Sequence, residues 1–163
     1  MEKLSSSTCP IAHGLARVGD IWSMLVLRNA SAGQTRFDQF RTSLGIAPNI
    51  LSRRLKALTD AGLLEKRRYN ERPPRDEYVL SVSGRDFLPV LFALGEWERR
   101  HHVGGPLSRI VDAKTGEEIT AVVVDAQTGE RFADRPTRLL RPGDGNVSAI
   151  DTASTPAPAL RPR

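Results

Sequence analysis

The sequence predicts a mainly α-helical fold with a small β part, of class α+β. Apolar residues recur at helical spacing in several segments between residues 10 and 100. One stretch, residues 63–82, instead alternates with strand period on both sides of a turn that holds two prolines. Beyond residue 105, a short valine-rich run lies between two similar turn motifs, which predicts a second and smaller β element.

Three helices are expected first, at Pro10–Val18, Ile21–Asn29 and Arg36–Ser43. Asp20 is suited to cap the second helix, and Thr35 with Asp38 forms a possible capping box for the third. The second helix is rich in apolar residues, which predicts that it is the centre of the core. The third helix is expected to bury Phe37 and Phe40.

A fourth helix is expected from Pro48 to Gly62, because proline suits a first helical turn and glycine suits a left-handed C-terminal cap. At helical spacing its leucines fall on one face and its polar residues on the other. The apolar face holds Leu51, Leu55 and Leu58, and the polar face holds Asn49, Ser52, Arg53 and Lys56. Two cations and two short hydrogen-bonding groups on one face are typical of a helix that enters the major groove of DNA. The polar face is therefore predicted to contact DNA.

A basic hairpin over residues 63–82 follows this helix. A helix-turn-helix followed by such a hairpin is a winged helix. A further helix is expected to flank it on the C-terminal side. Arg72 and Arg75 flank the hairpin tip and are predicted to lie along a phosphate ridge or to reach the minor groove, where arginine is favoured. Arg36, at the start of the third helix, is a further predicted phosphate contact.

The positive charge is concentrated in the fourth helix and the hairpin. The chain has a net charge of +5, and residues 53–75 alone hold eight basic residues against three acidic ones. Residues 103–163, by contrast, hold eight of each sign. A localised basic patch is typical of nucleic-acid-binding proteins, and a solvated basic surface is the alternative for charge taken by itself. Because an amphipathic helix and a hairpin carry the basic patch, we interpret it as a DNA-binding surface and not as a solvated basic surface.

The last long helix is expected from Gly84 to Arg100, and Ser83 with Asp86 is its expected capping box. Its apolar stripe is wider than a small winged domain needs, so we expect it to form a homodimer interface with help from the first helix. The residues assigned to this interface are Phe87, Leu91, Leu94 and Trp97. Packing within one subunit is the alternative. A dimer would present its two DNA-reading helices to half-sites about one DNA turn apart.

These motifs together resemble the HxlR family of bacterial winged-helix regulators. The resemblance covers residues 9–100 and is carried, in order, by Cys9-Pro10, Trp22 and Arg28, Arg36-Phe37, Leu51–Lys56, Gly62–Leu64, Arg72–Arg75 with Glu77-Tyr78, and Leu88–Leu91 with Trp97. It implies a dimeric DNA-binding transcription factor that answers oxidants, electrophiles or small molecules. Ala47 departs from the pattern, because the family often has serine there, and the lost side-chain cap costs about 1 kcal/mol.

Cys9 is the single cysteine of the chain and precedes the first helix. The resemblance implies that a cysteine here senses oxidants or electrophiles, and a helix N-terminus favours the reactive thiolate. A small buried residue is the alternative role of a free cysteine. With one cysteine, a disulfide forms only between subunits or with a small thiol, and no disulfide framework or multi-cysteine zinc site is expected.

Residues 106–135 are expected to form a small β appendage. The motif Val111–Glu117 recurs thirteen residues later as Val124–Glu130, and the run 119–124 between the two turns is expected to be a strand. The layout resembles the zinc-ribbon-like appendage of some relatives. A ribbon of that kind needs cysteines at its turns, but the positions hold Asp112, Thr115, Asp125 and Thr128. We therefore expect no metal, and a role in the dimer contact or in holding an effector.

The segments 1–8 and 136–163 are expected to be disordered, and residues 9–102 to form the DNA-binding and dimerisation domain. No apolar run approaches the roughly 18 residues of a membrane helix, and no signal peptide is visible, which predicts a soluble cytoplasmic protein. The adjacent His101 and His102 point in different directions on a helix, so no metal site is expected there either.

No phosphate-binding glycine loop and no hydrolase or protease motif is present, so neither an enzyme nor a bound cofactor is expected. The sequence favours a homodimeric regulator, more a repressor than an activator, that binds an inverted-repeat operator in double-stranded DNA. A small-molecule effector or an oxidant would control it, and no membrane partner is expected. The alternative from another class is a protein-interaction module on a winged-helix scaffold, which would lack sequence-specific DNA binding.

Overall fold

The computed structural model describes residues 8–102, 105–139 and 148–150, and it confirms the mainly α class. The helices are α1 (Pro10–Val18), α2 (Ile21–Ser31), α3 (Phe37–Leu44), α4 (Pro48–Asp60), α5 (Val82–Asp86) and α6 (Leu88–His101). The strands are β1 (Leu64–Glu71), β2 (Pro74–Leu80), β3 (Thr137–Leu139) and β4 (Ser148–Ile150), and a 3-10 turn covers Phe132–Asp134. The chain divides into two compact units, Met1–Leu91 and Phe92–Arg163.

The core of the first unit lies around α4. The three leucines predicted for the inner face of α4, Leu51, Leu55 and Leu58, are each 0% exposed, which confirms that face. Around them lie the other buried apolar side chains, Val18, Val26, Leu27, Phe40, Ile46, Leu63 and Leu64. Every element from α1 to β1 contributes to this cluster, so α4 is held from several sides.

Strands β1 and β2 form the predicted hairpin, called the wing below. They pair antiparallel from Leu64 opposite Leu80 to Glu71 opposite Pro74, with an irregularity between Arg68 and Asn70. Leu64 is buried, whereas the following residues 65–69 are exposed, so the wing is anchored at its base and open towards its tip. The Tyr78 N–H also donates to the carbonyl of Thr35 at 2.7 Å, which fixes β2 to the segment that precedes α3.

The prediction of a single helix from Gly84 to Arg100 is wrong, because α5 and α6 meet at Phe87. Pro89 explains the break: it has no N–H to donate to the carbonyl four residues back, which a continuous helix requires. The Val90 N–H bonds instead to the carbonyl of Phe87 at 3.0 Å. The expected cap at Ser83 is also wrong, since the hydroxyl of Ser81 accepts the Gly84 N–H at 3.0 Å.

The second unit contains the C-terminal half of α6 and the repeated turn motif. Arg99 of α6 joins the two, because its guanidinium lies 3.3 Å from the Glu118 carboxylate and donates to the carbonyl of Ser108 at 3.1 Å. Each copy of the repeat folds as a tight turn, called a knuckle below. The first knuckle (residues 111–118) is closed by pairing of Val111 with Glu118, and the second (residues 124–131) by pairing of Val124 with Arg131.

The two knuckles have the same hydrogen bonds. The Asp112 carboxylate accepts the N–H groups of Lys114 and Thr115 at 2.8 and 2.9 Å. The Asp125 carboxylate accepts the equivalent N–H groups at 2.8 and 3.3 Å. These backbone hydrogen bonds lower the pKa of both carboxyl groups. The largest effect on Asp112 comes from the Thr115 N–H, and the largest effect on Asp125 comes from the Gln127 N–H. The aspartates are therefore structural acceptors that organise each turn.

The prediction of a strand over residues 119–124 is wrong for the described chain, where Val124 forms an isolated bridge and Ile119 and Val123 make single backbone hydrogen bonds, with Ile110 and Phe132. The two ends of this run belong to different knuckles, so no second strand runs beside it. Strands β3 and β4 pair antiparallel, with Thr137 opposite Ile150, inside the segment expected to be a disordered tail. The residues 1–7, 103–104, 140–147 and 151–163 lie outside the described residues, and the expectations for them stay predictions.

Candidate nucleic-acid interface

The rotation of α4 about its axis determines which side chains face solvent. Because its leucine face is fully buried, the opposite face points outward. All four predicted DNA contacts on this face, Asn49, Ser52, Arg53 and Lys56, are exposed. Gly45, in the turn before α4, has a φ of 61°, a left-handed conformation that glycine adopts without strain. The sequence thus predicted both faces of the helix correctly.

One carboxylate fixes α4 to α2. Asp20 caps α2 by accepting the N–H groups of Trp22 and Ser23, each at 3.1 Å, which confirms the predicted cap. The same carboxylate accepts a hydrogen bond from the Ser23 hydroxyl. Its Oδ1 also lies 3.0 Å from Nε of Arg54. Arg54 therefore points inward and positions α4, although it belongs to the same basic run as Arg53.

The C-terminal end of α4 is tied to the base of the wing. Gly62 adopts a φ of 74°, and the Leu63 N–H donates to the carbonyl of Leu58 at 2.9 Å, the arrangement of a left-handed helix cap. This confirms the predicted cap at Gly62. The hydroxyl of Ser81 donates to the carbonyl of Gly62 at 2.6 Å, and the Ser81 N–H donates to the carbonyl of Leu63 at 3.1 Å. Ser81 thus links α4, the end of β2 and the start of α5.

The cations of this region fall into two groups. In the described part of the chain, no acidic side chain forms an ion pair with Arg53, Arg72 or Arg75, which are all exposed. Other cations are neutralised internally: Lys56 by Asp60 at 2.6 Å, Arg67 by Glu65 at 2.6 Å, and both Lys66 and Arg68 by Asp76 at 2.9 and 2.7 Å. Three of the predicted arginines are therefore available to phosphate without breaking an ion pair, whereas Lys56 must release one.

Arg36 lies where α3 meets the wing. Its guanidinium carbon is 4.7 Å from the centre of the Tyr69 ring, which is a cation–π contact. Arg36 and Tyr69 line a depression of about 550 Å³ together with Phe37, Asp38, Gln39, Arg75 and Asp76. Two predicted phosphate contacts, Arg36 and Arg75, thus share one concave surface. Tyr69 was not predicted, since nothing in a strand pattern indicates which helix end its ring will meet.

The start of α3 differs from the expected capping box. Neither Thr35 nor Asp38 has the expected role. The side chain of Gln39 instead accepts the N–H groups of Thr35 and Arg36 at 3.0 and 2.9 Å. A Gln at this position reaches back to the backbone in the same way as a Glu would. Asp38 points to solvent and lies 3.6 Å from Arg41.

The residues predicted for a dimer interface are in two settings. Phe87 and Leu91 are half-buried against the core of the first unit. Leu94 and Trp97 are each 51% exposed, at helical spacing along α6. In α1, Ile11 and Leu15 are also exposed. Both helices therefore present apolar side chains to solvent.

Cys9 is half-buried and occupies the cap position immediately before α1, whose first residue is Pro10. Its carbonyl accepts the His13 N–H at 3.2 Å. Its place at the beginning of a helix agrees with the sequence expectation. No group of three metal-binding side chains comes together within the described ranges, and none of their helices is long and apolar enough to span a membrane.

A helix-turn-helix with a cationic outer face, followed by a wing with free arginines at its tip, defines a winged-helix DNA-binding protein. The chain belongs to the HxlR-like helix-turn-helix family, whose model matches residues 17–104. It is therefore a transcriptional regulator with a helix-turn-helix DNA-binding fold. The resemblance stated from the sequence is confirmed.

Known proteins agree with this assignment. An HTH-type transcriptional regulator of Mycobacterium tuberculosis (strain ATCC 25618 / H37Rv) is 34% identical over 75% of this chain and 87% of its own length. The solved structure of PA1607, a proposed transcription factor, covers 85% of this chain and 99% of its own, with a TM-score of 0.77 and 34% identity. The redox regulator HypR in its oxidized form covers 59% of this chain and 100% of its own, with a TM-score of 0.54 and 27% identity.

Proposed function

We propose that this regulator binds an inverted-repeat operator as a homodimer, reads bases through the outer face of α4, and represses transcription. The observation that carries the proposal is the exposed face of α4 together with arginines at the wing that no acidic side chain among the described residues neutralises. A cation with no internal partner gains an ion pair with DNA and loses none. Operator occupancy by such a dimer blocks the polymerase, so repression is its simplest consequence.

Base reading and phosphate binding are assigned to different residues. On α4, Arg53 and Lys56 are suited to guanine or phosphate, and Asn49 and Ser52 to shorter hydrogen bonds at base edges. Arg72, Arg75 and Arg36 are assigned to phosphates or the minor groove. Lys56 contributes less than Arg53, because it must first leave Asp60.

Two variants test this division of roles. Arg53→Ala is expected to weaken operator binding by about 1–3 kcal/mol and to relax the choice of base at one position of each half-site. Arg75→Ala is expected to weaken binding to all sequences alike and to reduce the salt slope by about one contact. The measurement is fluorescence anisotropy on operator and random duplexes over a range of salt. An equal loss on both duplexes for Arg53→Ala removes it from base reading.

The dimer is assigned to α1 and α6, because both expose apolar side chains: Ile11, Leu15, Leu94 and Trp97. Apolar groups of this size gain free energy when a second copy covers them. Phe87 and Leu91, predicted for the same interface, are half-buried against the core of the first unit. Two copies related by a twofold axis would present two α4 helices to two half-sites.

A signal is proposed to reach the dimer through Cys9 or through a small molecule. HypR, a similar structure, is a redox regulator solved in oxidized and reduced forms. Here a thiol at the start of α1 would act beside the proposed interface. A small-molecule effector would fit a cleft of about 240 Å³ in the second unit, where Trp97, Val122, Val123 and Phe132 form apolar walls and Arg131 adds a cation.

The first experiment is selection of bound fragments from sheared genomic DNA, under reducing and under oxidising conditions. Enrichment of a few sites with inverted half-sites about one turn apart supports the proposal and gives the operator. Loss of enrichment after oxidation, restored by a thiol reductant, supports the role of Cys9. No enrichment in either condition overturns sequence-specific binding and leaves a protein-interaction module as the function.

A further inference from the structure

The stem of the wing contains a carboxylate that holds two cations. Asp76 of β2 lies opposite Arg68 of β1 in the hairpin register. One carboxylate oxygen, Oδ1, is 2.7 Å from Nε of Arg68, and the other, Oδ2, is 2.9 Å from Nζ of Lys66. Arg68 also lies 3.7 Å from Glu71. Each oxygen of Asp76 thus has its own cation, and the charges of Lys66, Arg68, Asp76 and Glu71 sum to zero.

The carboxylate of this cluster lies close to two predicted DNA contacts. Asp76 lines the same depression as Arg36 and Arg75, the two predicted phosphate contacts at the junction of α3 and the wing. Its side chain is 24% exposed, less than the 50% of Lys66 and the 43% of Arg68. The two cations therefore reach solvent near two predicted phosphate contacts, while the carboxylate between them repels phosphate.

We propose that Asp76 limits the sequence-independent affinity of the wing for DNA, because it withholds Lys66 and Arg68 from the phosphate backbone. The inference rests on the proposed function, since it concerns the same interface. The carboxylate stays charged in the working range of pH, as the hydrogen bonds from Lys66 and Arg68 lower the pKa of Asp76. Contacts to phosphate supply most of the binding to random DNA, so the number of available cations sets its strength.

The salt dependence of DNA binding should change by a definite amount when Asp76 is replaced. Each additional cation bound to phosphate steepens the plot of log K against log salt by about 0.9. Asp76→Asn frees Lys66 and leaves Arg68 only its longer contact with Glu71, so the slope should steepen by up to about 1.8. Between 50 and 200 mM salt the variant should then lose about tenfold more affinity than the parent, having started from tighter binding at low salt. Operator and random duplexes should gain alike, because phosphate contacts carry no sequence information.

A matched control lies in the same strand. Glu65→Gln also removes one negative charge and releases one cation, Arg67, which Glu65 holds at 2.6 Å. Residues 65 and 67 alternate with 66 and 68 along β1, so they lie on the other face of the hairpin. Glu65→Gln is therefore expected to leave the salt slope within about 0.5 of the parent. If the salt slope changes as much in this control as in Asp76→Asn, the effect is due to net charge, and the proposal is overturned.

The experiment measures binding of the full chain to a random duplex by anisotropy at five or more salt concentrations. Combining Asp76→Asn with Lys66→Gln and Arg68→Gln should return the slope to the parent value. Lys66→Gln with Arg68→Gln removes no phosphate contact if Asp76 withholds both cations, so the salt slope should stay within about 0.5 of the parent. This double variant keeps the carboxylate and tests the proposal if Asp76→Asn fails to fold.

Weaker DNA binding in Asp76→Asn, with native thermal unfolding, means that Asp76 orients the two cations towards phosphate, which overturns the proposal. A salt slope that is shallower by about 1.8 in the double variant does the same, since it shows that both cations contact phosphate in the parent. Absence of any binding by the parent at 50 mM salt is a different result, since it removes the proposed DNA function itself.

Discussion

Asp20 is a single side chain that serves two helices. It satisfies N–H groups at the start of α2, which otherwise have no partner within that helix, and it pairs with Arg54 of α4 at 3.0 Å. The helix start also favours a negative charge through its dipole. Because the buried Nε of Arg54 lies beside this carboxylate, the position of α4 is expected to depend on Asp20.

Asp20→Ala is expected to lower the free energy of unfolding by about 1–3 kcal/mol. The lost cap accounts for about 1 kcal/mol, and the rest comes from Arg54, which is left partly buried without its partner. Urea unfolding followed by circular dichroism measures the loss. Asp38→Ala is the matched control, because the Asp38 side chain is 86% exposed and its ion pair with Arg41 is long, so a change within about 0.5 kcal/mol is expected. A loss of the same size in both variants contradicts the special role of Asp20.

At the scale of single residues, the sequence predicted the contacts between groups that are close together in the chain. The caps at Asp20 and Gly62 follow from residue type and position next to an apolar pattern. The direction of Arg54 did not follow, because it lies at the edge of the apolar face and its partner belongs to another helix. The contact of Arg36 with Tyr69 was missed for the same reason.

The two knuckles keep their shape through aspartate side chains. Asp112 and Asp125 accept backbone N–H groups of their own turns. In the second knuckle the Arg135 guanidinium takes the central place, with Nη1 2.8 Å from Asp125 and 3.2 Å from the Thr128 hydroxyl. Its Nε also lies 3.2 Å from Glu130. An internal cation thus joins the groups of this turn.

Arg135→Gln is expected to loosen the second knuckle and to leave the first unchanged. The reason is that Arg135 bonds to Asp125, Thr128 and Glu130, whereas the first knuckle is organised by its own backbone hydrogen bonds. Hydrogen exchange at the amides of Gly116 and Gly129 measures both turns in one sample. Both amides donate to the aspartate carbonyl of their turn, at 2.9 and 2.8 Å, so the first is an internal control. Equal protection of both in the variant contradicts the role of Arg135.

Elements were predictable where one periodic pattern decided them. Helices α1 to α4 and the wing follow from apolar spacing and from turn residues. The break at Phe87 was missed, because the apolar stripe continues through it and only the missing N–H of Pro89 ends the helix. The run 119–124 looks like a strand in composition, but strand pairing needs a neighbour, which composition does not reveal.

At the scale of the whole molecule, the exposed apolar side chains of α1 and α6 are a cost to a lone subunit. Leu94 and Trp97 are half-exposed although they are large, and so is Leu15. Burial of such side chains contributes about 25 cal/mol per Å² of apolar area. The proposed dimer removes this surface from water.

Leu94→Arg is expected to produce a monomer at micromolar concentration, because a buried unpaired charge in the proposed interface is costly. Sedimentation velocity measures the change in mass. Operator affinity should fall much more than random-DNA affinity, since a dimer binds two half-sites at once. Val82→Arg is the control, as Val82 is 66% exposed and lies on α5 outside the proposed interface. A Leu94→Arg protein that stays dimeric places the interface elsewhere.

The link at Ser81 separates a part of the wing that resists change from a part that tolerates it. The base of the wing is closed by Leu64 and Leu80, and a Cβ at the neighbouring Gly84 would lie 2.1 Å from the carbonyl oxygen of Leu63. Substitution is therefore costly at the base, whereas residues 71–75 at the tip are all exposed and tolerate insertion. A change in the length of the tip is therefore expected to alter the reach of the wing while the seat of α4 stays the same.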